Sequence, residues 1–174
     1  MKAVLQRVLS GSVTVNDQVV SAIGKGILVL AAIGPYDSRK DVESMASKIL
    51  KMKLWPDENG ANWKKSVQDI EGEVLCVSQF TLFASTKKGN KPDFHGAAKP
   101  ETAQELYNYF LARVRDQYQP ERVKDGVFQA MMQVSLVNDG PVTLEIDTSP
   151  ARKESATSTK EPTPASTPVS EPSN

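Results

Sequence analysis

The residues best placed to do chemistry follow the apolar run Val74-Leu75-Cys76-Val77: they are Ser78, Gln79, Phe80 and Thr81. Polar side chains at the end of a core strand are held rigidly at a sheet edge, where site residues are commonly mounted. Two hydroxyls and an amide offer hydrogen bonds, and Thr81 is the tempting nucleophile. A hydroxyl nucleophile needs a neighbouring base. The chain has one histidine, His95, inside Asn90-Lys91-Pro92-Asp93-Phe94-His95-Gly96-Ala97, a loop-like stretch in which it reads as a surface residue. Acidic residues are scattered, without a convincing catalytic carboxylate pair. The same four residues also admit a plain structural role, with Ser78 and Thr81 bonded to backbone and Phe80 filling the core.

Other chemistries lack their parts. One histidine and one cysteine cannot build a His/Cys zinc cluster, so no metal site is expected. Gly24-Lys25-Gly26 resembles neither a P-loop nor a dinucleotide fingerprint, and no cofactor is expected. A second segment, Asn138-Asp139-Gly140-Pro141, lies between two apolar stretches and reads on its own as a turn. X-Pro bonds in folded proteins are cis only ~5% of the time, so a trans turn is its default reading.

These segments need elements to position them. Strands are expected at Ala3–Leu9 and Ser12–Val15, with Asn16-Asp17 turning the chain before Val19-Val20. The continuous apolar run Ile27–Ile33 suits a strand covered on both faces. Val42, Met45, Ala46, Ile49 and Leu50 recur at helical spacing after a cap at Asp37 or Ser38, and Pro56 stops that helix at the latest. Val74–Phe83 reads as a second buried strand. A second helix is predicted over about Glu101–Tyr118, opened by Pro100, with Ala103, Leu106, Tyr107, Phe110 and Val114 on its apolar face. Phe128–Val137 and Val142–Ile146 read as two strands joined at Asn138–Pro141. The class is α/β with more strand than helix and two main helices, and the N-terminal hairpin argues against a simple doubly wound sheet.

Length and composition bound the rest. The 174 residues suit one domain. Lys and Arg number 21 against 21 Asp and Glu, so any nucleic-acid surface must be a local patch. Candidate patches are Lys48, Lys51 and Lys53; Lys64-Lys65; and Lys87-Lys88 with Lys91. Composition shifts near Pro150 to Pro, Ser, Thr, Ala, Lys and Glu, which predicts a folded unit over 1–148 and a disordered tail over 149–174. Cys76 within an apolar run reads as a buried thiol, which fits a reducing, cytoplasmic location, and no apolar stretch approaches the ~20 residues that span a bilayer.

Taken together, Ser78-Gln79-Phe80-Thr81-Leu82 and Asn138-Asp139-Gly140-Pro141-Val142-Thr143 resemble the two signatures of the D-aminoacyl-tRNA deacylase family. Ala3-Val4-Leu5-Gln6-Arg7-Val8, Ser12-Val13-Thr14-Val15, Asn90-Lys91-Pro92-Asp93-Phe94 with Gly96-Ala97, and Gln133–Val137 are similar to that family in the same order, over about residues 1–147. Asp93 departs from the pattern, which has a small hydroxyl residue there.

The resemblance implies a layered β/β/α domain that hydrolyses the ester between a D-amino acid and the terminal adenosine of tRNA; because a chirality filter should not reject achiral glycine well, some activity on glycyl-tRNA is expected too. It implies catalytic or pocket roles for Ser78, Gln79, Phe80 and Thr81, with backbone amides holding the carbonyl oxygen and the ribose 2′-hydroxyl assisting water. It implies that Gly140-Pro141 is cis and filters chirality in the partner subunit of a homodimer, with Arg7 holding the motif. The partners implied are tRNA and a second copy, with no membrane. Two other readings stay open: a non-catalytic RNA-binding module on the same fold, and a Ser/Thr hydrolase of small esters.

Overall fold

Strand β1, Lys2–Val15, is the spine of the domain and reaches every other part of the sheet's antiparallel half. In this computed structural model, residues 1–148 are described; the tail expected over 149–174 lies outside the described residues. After β1 come β2 (Gln18–Ile23), β3 (Gly26–Ala32), helix α1 (Arg39–Lys51), β4 (Glu73–Ser78), helix α2 (Pro100–Asp116), β5 (Val123–Asp125) and β6 (Gln133–Asp147). The six strands form one mixed sheet. β1 pairs antiparallel with β2, β3 and β6, while β4 joins β3, and β5 joins β4, in parallel. The pairing order runs β2-β1-β3-β4-β5. Its two ends meet where Ser21 Oγ donates to the Asp125 carbonyl, so the sheet curls into a nearly closed barrel.

Local sequence explains these elements. Asn16 and Asp17 adopt φ of 48° and 61°, the left-handed pair that a two-residue hairpin needs between β1 and β2. β3 and β4 are covered on both faces. Ile27, Val29, Val74 and Cys76 face a core shared with Met45, Ile49, Phe110 and Val114 of the helices. Leu28, Leu75 and Val77 alternate to the other side, against Val8, Val13 and Ile23. α1 begins where the Asp41 carboxylate accepts the Ser38 amide at 2.9 Å, and this bonding, with the Ser38 hydroxyl foremost, lowers the Asp41 pKa. Pro100 opens α2 at a position where its missing N–H costs nothing.

The strand-rich α/β class with an N-terminal hairpin and two helices therefore holds, and four local expectations change. The stretches Ala3–Leu9 and Ser12–Val15 are one strand; its register against β6 shifts between Gln6 and Val8 and again between Val8 and Ser10, and the buried positions move from Ala3 and Leu5 to Val8 and then to Gly11 and Val13. The strand expected over Val74–Phe83 ends at Ser78, and Phe80–Phe83 wind into a 3₁₀ turn. The strand expected from Phe128 begins only at Gln133. Asn138–Pro141 is not a hairpin turn: β6 runs through it without reversing, because the long β1 pairs with both of its halves.

Candidate active site

β4 delivers the Ser78–Thr81 segment to the end of the sheet. The Gln79 amide still bonds the Ala31 carbonyl at 2.8 Å, which prolongs the β3–β4 ladder by one rung. The chain then turns, with the Leu82 amide donating to the Gln79 carbonyl at 3.2 Å and the Ala84 amide to the Thr81 carbonyl at 2.9 Å. Phe80 and Thr81 are the first two residues of that turn, so their amides precede any carbonyl the turn can offer them and remain donors for a ligand oxygen. Ser78, Gln79, Phe80 and Thr81 all line one cleft of about 920 Å³. Its apolar walls include Ala31, Phe94, Tyr107, Phe128 and Met132. Phe80 is 56% exposed and stands edge-on to Phe94, with ring centroids 5.1 Å apart.

Thr81 has no base. Its hydroxyl accepts a hydrogen bond from Gln79 Nε2 at 2.6 Å, and an amide cannot take its proton. His95 is a surface residue, as its context suggested: its side chain is 96% exposed, and its ring is held by Asp93. The arrangement can position an acyl group and hold an oxyanion; it cannot activate Thr81 as a nucleophile. Thr81→Ala and Thr81→Ser are accordingly expected to keep the ester hydrolysis that the resemblance implies within roughly tenfold of wild type, a ceiling of about 1.4 kcal/mol that matches the upper end of what losing one neutral hydrogen bond costs. Mass-spectrometric trapping of an acyl-Thr81 adduct would contradict this.

Tyr107 supports the cleft from below. It is buried and donates its hydroxyl to Asp125 Oδ1 at 2.6 Å, while its ring meets Phe128 at 5.7 Å. Burial raises the Asp125 pKa, only partly opposed by the Tyr107 bond. A raised carboxyl pKa means that the folded state holds this proton more tightly than the unfolded chain. Its stabilising contribution is therefore present below the unfolded value, about 3.9, and is lost as pH rises through the folded value. Asp125→Asn keeps the acceptor and removes the charge. It is expected to match or raise the melting temperature at pH 7, with the difference shrinking toward pH 3.5, as read by thermal melts at both pH values.

Gly140 and Pro141 lie elsewhere in the same chain. Gln6 pairs with Thr143 and Val8 with Asn138, so Arg7 alone faces the four residues Asp139–Val142. These form an insert in β6 whose middle residues, Gly140 and Pro141, are exposed, with a cis bond between them and Gly140 at φ +124°. Arg7 Nε is 3.2 Å from the Asp139 carbonyl and 3.1 Å from its carboxylate, and Arg7 NH1 donates to the Leu54 carbonyl at 2.5 Å. Asn138 ties the neck of the insert, donating to the Arg7 and Val142 carbonyls at 2.8 and 3.1 Å. Ala31 lies beside Ser78, and Ile27 beside Arg7. Those two β3 residues are separated by about 13 Å of strand. Within the chain the structure thus gathers Ser78–Thr81 into a cleft, and Arg7 with Gly140-Pro141 at a separate place.

Sequence reasoning missed Phe94, Tyr107 and Phe128 as cleft walls and Asn138 as the tie. Asn138 carried a local signal, a side-chain amide at the edge of a Gly-Pro step. Phe94 lay in a segment similar to the family, but Tyr107 and Phe128 carried no signal as walls, because they come from distant parts of the chain.

Comparison with known proteins agrees over the whole described domain. The sequence model described as D-Tyr-tRNA(Tyr) deacylase matches residues 4–147. A D-aminoacyl-tRNA deacylase of Yarrowia lipolytica is 59% identical over 150 residues, which is 85% of this chain and 97% of that protein. The human D-aminoacyl-tRNA deacylase 1 is 54% identical over 151 residues, 87% of this chain and 71% of its own length. A solved structure titled c-Myc DNA Unwinding Element Binding Protein superposes with a TM-score of 0.83 at 54% identity, covering 87% of this chain and all of that one. Among the described residues, no helix is long and apolar enough to cross a membrane.

Proposed function

The chain belongs to the D-Tyr-tRNA(Tyr) deacylase family and is a D-aminoacyl-tRNA deacylase; on that premise we propose that it is a chirality checkpoint of translation in the cytoplasm, built from two copies of the chain. Water attacks the carbonyl carbon of the ester that joins the D-amino acid to the terminal ribose of tRNA. The carbon–oxygen bond breaks, the ribose hydroxyl leaves with a proton, and the free D-amino acid carries the new carboxylate. The observation that carries this reading is the cleft itself: turn amides at Phe80 and Thr81, an apolar enclosure, and a threonine bonded to Gln79 rather than to a base. Such a site holds the carbonyl and stabilises the oxyanion, while the neighbouring ribose hydroxyl helps to deprotonate water. An aminoacyl ester is already labile, so positioning supplies much of the required acceleration.

Selectivity comes from the Gly140-Pro141 insert. It lies away from its own cleft, so it serves the cleft of a partner subunit, where its carbonyl groups accept from the substrate α-ammonium and crowd the place an L side chain would take. Arg7 and Asn138 hold it at that angle. The exposed edge strand β6, with Val137 and Leu9 each 53% exposed beside the insert, is a surface on which a second copy can pair. A filter of this kind reads the α-carbon, so side chains are tolerated broadly and achiral glycine passes.

One panel tests the proposal: D-Tyr-tRNA, L-Tyr-tRNA, glycyl-tRNA and a small aryl ester at one enzyme concentration. The expected result is rapid loss of D-Tyr-tRNA, slower loss of glycyl-tRNA, and survival of the L ester and the aryl ester. Equal hydrolysis of D and L esters would overturn the filter. Cleavage of the aryl ester alone would favour a small-ester hydrolase, and tRNA binding without turnover a non-catalytic module.

A further inference from the structure

Beside the cleft stands a closed loop whose composition and geometry have a purpose of their own. Ser85 and Asp93 exchange both backbone hydrogen bonds, at 2.8 and 2.9 Å, and so clamp the chain between them. The clamped residues are Thr86-Lys87-Lys88-Gly89-Asn90-Lys91-Pro92, which include three lysines and no acidic residue, and all seven are exposed. Gly89, at φ +132°, makes the turn at the tip. At the base, the Asp93 carboxylate is directed to His95, accepting its amide at 2.8 Å and holding its ring. Lys88, Lys91, Pro92, Asp93 and His95 border a shallow depression together with Phe94, the Asp93 carboxylate being engaged by His95, and Phe94 also lines the main cleft. The depression and the cleft therefore share a wall.

The other lysine clusters are differently placed. Lys53 is paired with Asp69 at 2.6 Å, and Lys65 with Glu58. Lys48 and Lys51 occupy the last turn of α1, where cations offset the helix dipole. None of the three lysines of the clamped loop has an ion pair among those found in the described residues.

We propose that the loop Thr86–Pro92 is the phosphate grip of the enzyme: Lys88 and Lys91, supported by Lys87, bind the backbone phosphates of the RNA 3′ end just before its terminal nucleoside enters the cleft past Phe94. This rests on the deacylase reading and specifies how that site selects RNA-borne esters. A clamped backbone places the charges at a fixed offset from the cleft, so the loop measures the distance from phosphate to ester as well as attracting polyanions. Lysine suits this task, because a point charge with three donors follows a phosphate without requiring a planar fork. Phosphate binding to these lysines releases the counterions condensed on the RNA, which favours association.

The test compares wild type with the triple variant Lys87→Ala, Lys88→Ala, Lys91→Ala and with the corresponding triple Lys→Arg variant. The substrates are D-Tyr-tRNA and D-tyrosyl-adenosine, which carries the same ester without a phosphate. Binding of uncharged tRNA is measured separately by fluorescence anisotropy across a salt series. For the alanine variant, KM for D-Tyr-tRNA should rise about tenfold with kcat unchanged, and the slope of log affinity against log salt should shallow by about 2, near 0.7–0.9 for each lost contact. Its kcat/KM on D-tyrosyl-adenosine should stay within about twofold of wild type, the scatter expected of exposed substitutions, and the arginine variant should retain tRNA binding. Unchanged tRNA affinity and salt slope, or an equal loss on both substrates, would overturn the proposal. A wild-type enzyme that binds uncharged tRNA but leaves D-Tyr-tRNA intact would instead sink the deacylase reading, while the anisotropy series would still decide the role of the loop.

Discussion

Gly140→Ala is expected to lower kcat/KM for D-Tyr-tRNA by at least ~100-fold, about 2.7 kcal/mol of transition-state stabilisation, while leaving a folded protein. Two observations set the size. Gly140 sits at φ +124°, a conformation that costs a residue with a side chain about 1–3 kcal/mol. A Cβ built there lies 2.8 Å from Val142 Cγ2 and 3.1 Å from both Arg7 NH2 and the Val142 amide. The backbone has no room to give, because Asn138 ties the neck of the insert and Arg7 ties its flank to Leu54. The strain is relieved by rotating the insert or expelling Arg7, and both change where the Gly140 and Pro141 carbonyls are aimed. The effect on the core is small, since Gly140 and Pro141 are exposed, β6 pairs with β1 on either side, and the clash reaches the core through half-buried Val142. The melting temperature should fall by only a few degrees. Kinetics per folded enzyme, with calorimetry alongside, checks both halves; full activity in a folded variant would remove the insert from the site.

Phe80→Ala is expected to cost roughly 30-fold in kcat/KM, about 2 kcal/mol, with almost no change in stability. Phe80 is 56% exposed and belongs to neither apolar core cluster, so the fold gains little from it. Its edge contact with Phe94 belongs to a class of pairs worth about 0.5–1.5 kcal/mol beyond area burial. Removing the ring frees Phe94, widens the cleft at its mouth and loosens the turn that begins with the Phe80 and Thr81 amides. An oxyanion donor displaced by a fraction of an ångström loses most of its value. Phe80→Leu, which keeps an apolar wall, should fall between wild type and alanine. A drop in melting temperature with unchanged kinetics would mark Phe80 as structural instead.

These two residues also show how far the sequence could be read. Periodicity found most of the helix faces: Val42, Met45, Ala46, Ile49 and Leu50 are all buried, as are Leu106, Tyr107, Phe110 and Val114, while Ala103 is only half-buried and the buried Leu111 lies outside the predicted face. The hairpin at Asn16-Asp17 was legible because only a few residue types tolerate two successive positive φ angles. Phe80–Phe83 was not, since four mainly apolar residues after a strand suit a further strand or a tight turn equally well. Asn138–Pro141 misled for a related reason. The residue types that make a hairpin turn are also those that make an insert in a strand, and the difference lies in whether β1 extends past the insert to pair on its far side. The cleft residues Ser78–Thr81 could be named from their motif. The cleft itself could not, because its walls come from α2, the Phe94 loop and the segment before β6, brought together only by tertiary packing. Asp93 closes the lysine loop through Ser85 and orients His95.

The central claim is that one working site needs the cleft of one copy and the Gly140-Pro141 insert of the other. Co-expressing Phe80→Ala chains with Gly140→Ala chains, each poorly active alone, tests it most directly. Random pairing in a two-fold dimer makes half of the dimers mixed, and each mixed dimer holds one site with an intact cleft and an intact insert, so activity on D-Tyr-tRNA should recover to roughly a quarter of wild type. Recovery no higher than the average of the two parent variants would show that cleft and insert act within a single chain, and would contradict the account.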